Sequence, residues 1–271
     1  MAGTAFSLLR QRLGHLTGGV VVGTPTGGLT TTTFNATALS TKPDDFYNDW
    51  HGRFYEGRHN GVNFEVEDFV KLNGKVTLEP PTTLVIEKKD LFELYKHATP
   101  VELGHFINIA ISMVAGEALV ERVSETLLIP NSTTYHYAVP AGIAYIDRIY
   151  MEQGTAGRYG AEQDPFDYRA WRILHTTPPQ IWFDPNLVSL TAARHLRLVG
   201  QAIQVELVGD SDECVINQAY VLYQAKALWH ESKIRDSASD FEDHRTQMVI
   251  AQSRADSERE GLRVAPMGRA V

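Results

Sequence analysis

The chain has 271 residues, 43% of them hydrophobic and 21% charged, an ordinary globular composition with length enough for one large domain or two small ones. A formal net charge of −8 excludes a protein that coats nucleic acid through a basic face, although an acidic surface suits one that DNA merely slides past. Cys214 is the only cysteine, which excludes disulfide frameworks and cysteine-rich zinc sites within one chain.

The opening residues, MAGTAFSLLRQRLGHL, lack a continuous apolar segment, so a soluble protein without a secretory signal is expected, made in the cytoplasm. The N-x-T sequons at Asn35 and Asn131 are then chance matches. No apolar run approaches the ~20 residues of a membrane helix. Residues 4–16 read as an amphipathic helix with Phe6, Leu9, Leu13 and Leu16 on one side, closed by Gly18-Gly19. Gly19–Asn35 reads as two strands around a Pro25-Thr26-Gly27-Gly28 turn. A phosphate loop is excluded there, because Leu29-Thr30 follows the last glycine where Lys-Ser/Thr is needed.

From Asp44 onward short strands alternate with turns. Val62, Phe64 and Val66 alternate with Asn63, Glu65 and Glu67, the pattern of a strand with one wet face. Asn60-Gly61 and Asn73-Gly74 are strong hairpin turns. Asp44, Asp45, Asn48 and Asp49 are oxygen-rich, but their spacing does not fit an EF-hand loop, and an acidic turn is the simpler reading. Residues 19–95 are therefore expected to form a small antiparallel β-barrel or sandwich.

Thr99–Val120 is the clearest helix. Thr99 is an N-cap, Pro100 sits where a missing N–H costs nothing, and Glu102 completes a T-x-x-E capping box. Leu103, Phe106, Ile107, Ala110, Met113 and Val114 recur every three or four residues. Strands are expected at 122–130, 134–139, 143–150, 169–174, 180–183 and 203–208, together making a β-layer that covers this helix. A second helix, 211–232, would start at an Asp210/Glu213 cap and hold Cys214 as a small buried hydrophobe. From Glu231 to Arg263 acidic and basic residues mix with a thin apolar stripe, which predicts a solvated arm or one that orders on a partner.

A Thr/Gly-rich start (GTPTGGLTTTTFNATAL), then DDFYNDW, then R-F-Y-x-G with a turn and a second strand, then a helix opening T-P-x-E, resembles the organisation of tailed-bacteriophage head-to-tail connector proteins. The resemblance covers roughly residues 17–120; beyond that it is one of layout. It implies a structural virion protein at the head-tail junction, without enzymatic activity or cofactor. Such a protein forms a homo-oligomeric ring of twelve subunits that joins the portal to a neck or tail protein, with DNA passing through unread. It also implies that the C-terminal extension reaches the portal, through Phe241, Met248, Val249, Leu262, Arg263, Val264 and Met267. The alternative is a carbohydrate-binding or host-attachment module of the same virion.

Chemistry finds little purchase in the residues themselves. The ten histidines show no H-x-H, H-x-x-x-H or H-E-x-x-H spacing, so no metal site is expected. No G-x-S-x-G elbow is present. Trp50, Phe54, Tyr55, Trp171, Trp182 and Phe183 could line a sugar cleft, yet in strands such residues more often anchor cores or interfaces. The expected fold is α+β: an N-terminal helix (1–18), the small β-domain (19–95), a helical core with a second β-layer (96–233) and a C-terminal helical arm (234–271).

Overall fold

The structure, a computed structural model, describes residues 3–154, 157–159, 165–234, 240–262 and 269–271. In chain order the elements begin with β1 (Thr4–Ala5), α1 (Phe6–Thr17), β2 (Val20–Gly23), β3 (Thr33–Asn35), β4 (His51–Phe54), β5 (Asn63–Val70), β6 (Lys75–Glu79) and β7 (Phe92–Tyr95). They continue with α2 (Pro100–Ser112), β8 (Val120–Leu128), β9 (His136–Ala138), β10 (Tyr145–Met151), β11 (Trp171–Leu174), β12 (Gln180–Phe183) and β13 (His195–Ala202). The last are β14 (Glu213–Cys214), α3 (Gln218–Ile234), α4 (Phe241–Glu260) and β15 (Arg269–Ala270). This is a mixed α+β chain. It divides into two compact units, Met1–Met113 with Val205–Leu262, and Val114–Gln204 with Arg263–Val271. The expected helical core at 96–233 is thus shared between units: its two helices belong to the unit with the N-terminal sheet, and its strands from Val120 to Ala202 belong to the second.

In the first unit a six-stranded antiparallel sheet runs β2-β7-β4-β5-β6-β3. Its core is aromatic, with Phe34 against Phe92 at 4.9 Å and Tyr47 edge-on to Phe69 at 4.8 Å between ring centroids. Asn73 and Gly74 both take positive φ and close the β5–β6 hairpin, as the Asn-Gly pair predicts. The expected hairpin over Gly19–Asn35 is not formed: β2 pairs with β7 and β3 with β6, at opposite edges of the sheet. The cause is local, because the Thr30 hydroxyl accepts from the backbone N–H groups of Thr32 and Thr33 and folds the threonine run into a turn.

α2 has the capping box its sequence specifies. Thr99 Oγ1 accepts from the Glu102 N–H at 3.0 Å, and Glu102 Oε2 accepts from the Thr99 N–H at 3.4 Å. The helix stops at Ser112 rather than Val120: residues 113–118 form turns around Gly116, and the chain enters β8. The expected strand over 203–208 is not formed either. Asn108 on α2 takes both backbone groups of Leu207, accepting its N–H at 3.0 Å and donating to its carbonyl at 2.9 Å. A side chain there replaces the neighbouring strand that a ladder would need.

The expected cap at Asp210/Glu213 is likewise absent, and α3 begins five residues after Glu213, at Gln218. Asp212 accepts from the N–H groups of Val208 and Gly209, and Glu213-Cys214 pairs with Thr4-Ala5. Cys214 is therefore in a short strand, not a helix, and its burial pushes the thiol up to about 11.

The C-terminal segment is helical, and it is docked on the rest of its unit instead of free. Residues 241–260 form a helix capped by Asp240, whose side chain accepts from the Asp243 N–H. α4 packs on α3 with Ala251 and Ala255 buried, and small side chains let the two backbones approach closely. Lys226 donates to Gln247, and Gln224 and Gln252 exchange amide hydrogen bonds at 3.2 Å. This part of the tail is a docked helix, not a solvated arm.

The second unit has its own core, with Ile146, Ile149, Leu196 and Leu198 meeting Trp171, Ile181 and Phe183. Its sheets are β15-β10-β13-β8 and β11-β12-β9, all antiparallel. The strands expected to cover the central helix thus bury their apolar faces among themselves. The last residues belong here too. Arg269 lies over the rings of Tyr168 and Trp171, at 4.4 and 4.7 Å, and donates to both their carbonyls. β15 pairs with β10, so the end of the chain is held within its own unit.

Candidate functional site

The densest cluster of ionisable groups lies inside the first unit. Phe6, Leu9 and Leu13 bury one face of α1, and that face carries Arg10 inward with them, 1% exposed. Its Nε donates to Glu93 Oε1 at 2.5 Å and its Nη2 to Asp210 Oδ1 at 2.6 Å. Glu93, on β7, is 0% exposed and also accepts from Gln11. Arg53 on β4 donates to both Asp210 oxygens at 3.1 Å. Burial pushes the Glu93 carboxyl up, and Arg10 and Gln11 offset only part of this. Burial would lower the Arg10 guanidinium, but Glu93, Tyr95 and Asp210 raise it beyond its ordinary value, so it stays charged. Arg10, Glu93 and Asp210 are buried, and the part-buried Arg53 and Gln11 complete the pairing of the two carboxylates. Such an arrangement ties a helix, two strands and the chain leading to α3 together, and it leaves no open position for a substrate.

Two histidine pairs were invisible in the sequence. His59 Nδ1 faces Asp90 Oδ2 at 2.7 Å, and His59 Nε2 faces the Leu84 carbonyl at 3.1 Å. Both neighbours are acceptors, so the ring donates from both sides only when protonated. Burial would raise Asp90, but hydrogen bonds from the Glu87 N–H and from His59 overcome it and hold the carboxyl below its ordinary value. His230 on α3 and His244 on α4 meet Nδ1 to Nδ1 at 2.8 Å, which requires one to donate and the other to accept. Burial, with Lys226 and His244 nearby, lowers His230 to about 4, against a smaller opposing pull from Asp243. Among the described residues, no three His, Cys, Asp or Glu side chains converge to hold a metal ion. The acidic turn is satisfied internally: Asp44 accepts from the Lys71 N–H, and Asn48 donates to Asp45.

The residues expected to touch a partner fall into three groups. Phe241, Val249 and the neighbouring Ile250 are 47%, 57% and 44% exposed on α4, and Met248 is half-buried beside them. Leu262 is 8% exposed and so is spent within the chain. Arg263, Val264 and Met267 lie outside the described residues. The aromatics that could have lined a sugar cleft are mostly core: Trp50, Phe54, Trp171 and Phe183 are buried, and Arg172 stacks over Trp182 at 4.4 Å.

Between α3 and α4 runs an open groove of about 580 Å³. Ala227, Leu228, Met248 and Val249 line it, Met113 from the end of α2 contributes, and Glu231 and Asp256 are the charged lining residues. No family model and no curated protein matches the chain.

The missed groups left a faint trace. Arg10 interrupts the apolar stripe of Phe6, Leu9 and Leu13, and Glu93 sits between Phe92 and Leu94. A charge inside an apolar run predicts a buried partner, although it does not say which.

Proposed function

We propose that this chain is a structural virion protein of a tailed bacteriophage, an adaptor of the head-to-tail connector. The observation that carries the reading is the outer surface of α4, where Phe241, Val249 and Ile250 remain exposed on a helix already docked along its other side. Apolar side chains clustered on one surface helix favour a protein–protein contact. The order of segments over residues 17–120 supports the same assignment through its resemblance to connector proteins. The Arg10–Glu93–Asp210–Arg53 cluster supports it indirectly, since its charges are paired with one another in the manner of a scaffold.

The mechanism in this reading is mechanical. Copies of the chain bury side-to-side surfaces, and these heterologous contacts close a ring if the rotation per step sums to a full turn. Twelve subunits would match the portal. A neck or tail protein sits on the other side, and the net charge of −8 keeps DNA from adhering to the channel. The portal contact is assigned to α4, with Phe241, Met248 and Val249, rather than to a free terminal arm. The glycan-binding alternative has less support, because four of its six aromatics, Trp50, Phe54, Trp171 and Phe183, lie in the two cores.

The test is the mass of the purified full chain, alone and with portal protein. A ring at a multiple of 30.2 kDa, or a complex with portal, is expected. A chain that stays monomeric beside portal, neck and tail proteins would overturn the reading.

A further inference from the structure

We infer that the α3–α4 groove takes an amphipathic helix from a partner protein, with an apolar stripe about three turns long and a cationic side chain at each end. The floor is Ala227 and Leu228 from one helix and Met248 and Val249 from the other. Between them Gln224 and Gln252 exchange amide hydrogen bonds and Gln252 also donates to Asp256 Oδ1 at 3.0 Å, a neutral stretch that leaves the Asp256 charge uncompensated. The charges in the lining are both acidic, Glu231 and Asp256.

Their separation sets the length of the occupant. Glu231 follows His230, which meets His244, so the groove extends along α4 from the level of residue 244 to residue 256. At ~1.5 Å per residue that is about 18 Å, a little over three turns. A volume of about 580 Å³ is that of a binding cleft, and its two helical walls run alongside an inserted helix, the geometry of helix-in-groove recognition. Carboxylates at both ends select lysine or arginine on the incoming helix. Identifying the source of that helix as a neighbouring virion protein rests on the connector reading; the chemistry of the groove does not.

The test is binding of a fluorescent synthetic helix, bearing an apolar stripe with lysine at each end, to the full chain. A control peptide carries glutamate at both ends. The lysine peptide is expected to bind at least about tenfold more tightly than the control. The Glu231→Lys/Asp256→Lys chain is expected to reverse that preference, and Val249→Arg to abolish binding of both peptides, with helicity unchanged by circular dichroism. Equal binding of the two peptides, or none, would overturn the inference. So would a charge-reversed chain whose own oligomeric mass changes while it binds neither peptide, since the occupant is then a second copy. Portal association, measured on the same variants, separates the two proposals. A charge-reversed chain that still joins portal unchanged removes the groove from the connector contact and leaves the connector standing. A chain that binds the lysine peptide but never joins a virion component removes the connector and leaves the groove.

Discussion

Replacing Arg10 by methionine should be among the most damaging single changes to the first unit. Methionine retains much of the side-chain length, so the loss is one of charge and donors, not of packing. Asp210 keeps Arg53 at 3.0 Å, but Glu93 is left buried with only the Gln11 amide, 3.2 Å away. Breaking a buried ion pair from one side costs about 3–5 kcal/mol. That is a fifth or more of the ~5–15 kcal/mol that holds a typical domain together. Removing both charges, in Arg10→Met/Glu93→Leu, should return most of the loss, because apolar replacement of a buried pair is close to neutral. Urea unfolding of the wild type, both single variants and the double variant gives the coupling energy directly. The expected coupling is at least about 2 kcal/mol, with the double variant more stable than Arg10→Met. An Arg10→Met midpoint within about 1 kcal/mol of wild type would refute the claim that this network holds α1 to the sheet.

Three further outcomes follow from other sites. His230 is lowered from 6.5 to about 4, so between those values the unfolded chain binds a proton that the folded chain refuses. Stability should therefore fall as pH drops through that window, by up to about 3 kcal/mol, and His230→Phe should flatten the pH dependence of the urea midpoint. Asp90 is held below its ordinary 3.8, so its contribution is present above that value and disappears as pH falls through the folded one. Asp90→Asn should cost about 3 kcal/mol at neutral pH and much less in strong acid, compared by thermal melts at each. On β4, a Cβ added at Gly52 would lie 2.2 Å from the ring of Phe64, its cross-strand partner. Gly52→Ala should cost about 2 kcal/mol by overpacking, and Phe64→Leu in the same chain should recover part of it, measured by urea midpoint.

Features encoded within a few neighbouring residues were fixed by the sequence alone. The Thr99/Glu102 capping box depends on side chains reaching backbone groups nearby, the Asn73-Gly74 turn on two residues that accept positive φ, and the residues themselves specify both. Tertiary structure decided the features that needed a distant partner. The alternation over 203–208 was genuine, yet Asn108 answered its backbone instead of a strand. The sparse apolar stripe of α4 looked too thin to bury, but Ala251 and Ala255 needed only a close helix to become core. The final residues, unable to fold by themselves, found β10 and the rings of Tyr168 and Trp171. Periodicity reports which face of a segment avoids water; it carries no address for what will cover that face. For Arg10 and Glu93, eighty-three positions apart, and for His230 and His244 on two helices, only the folded chain supplies the address.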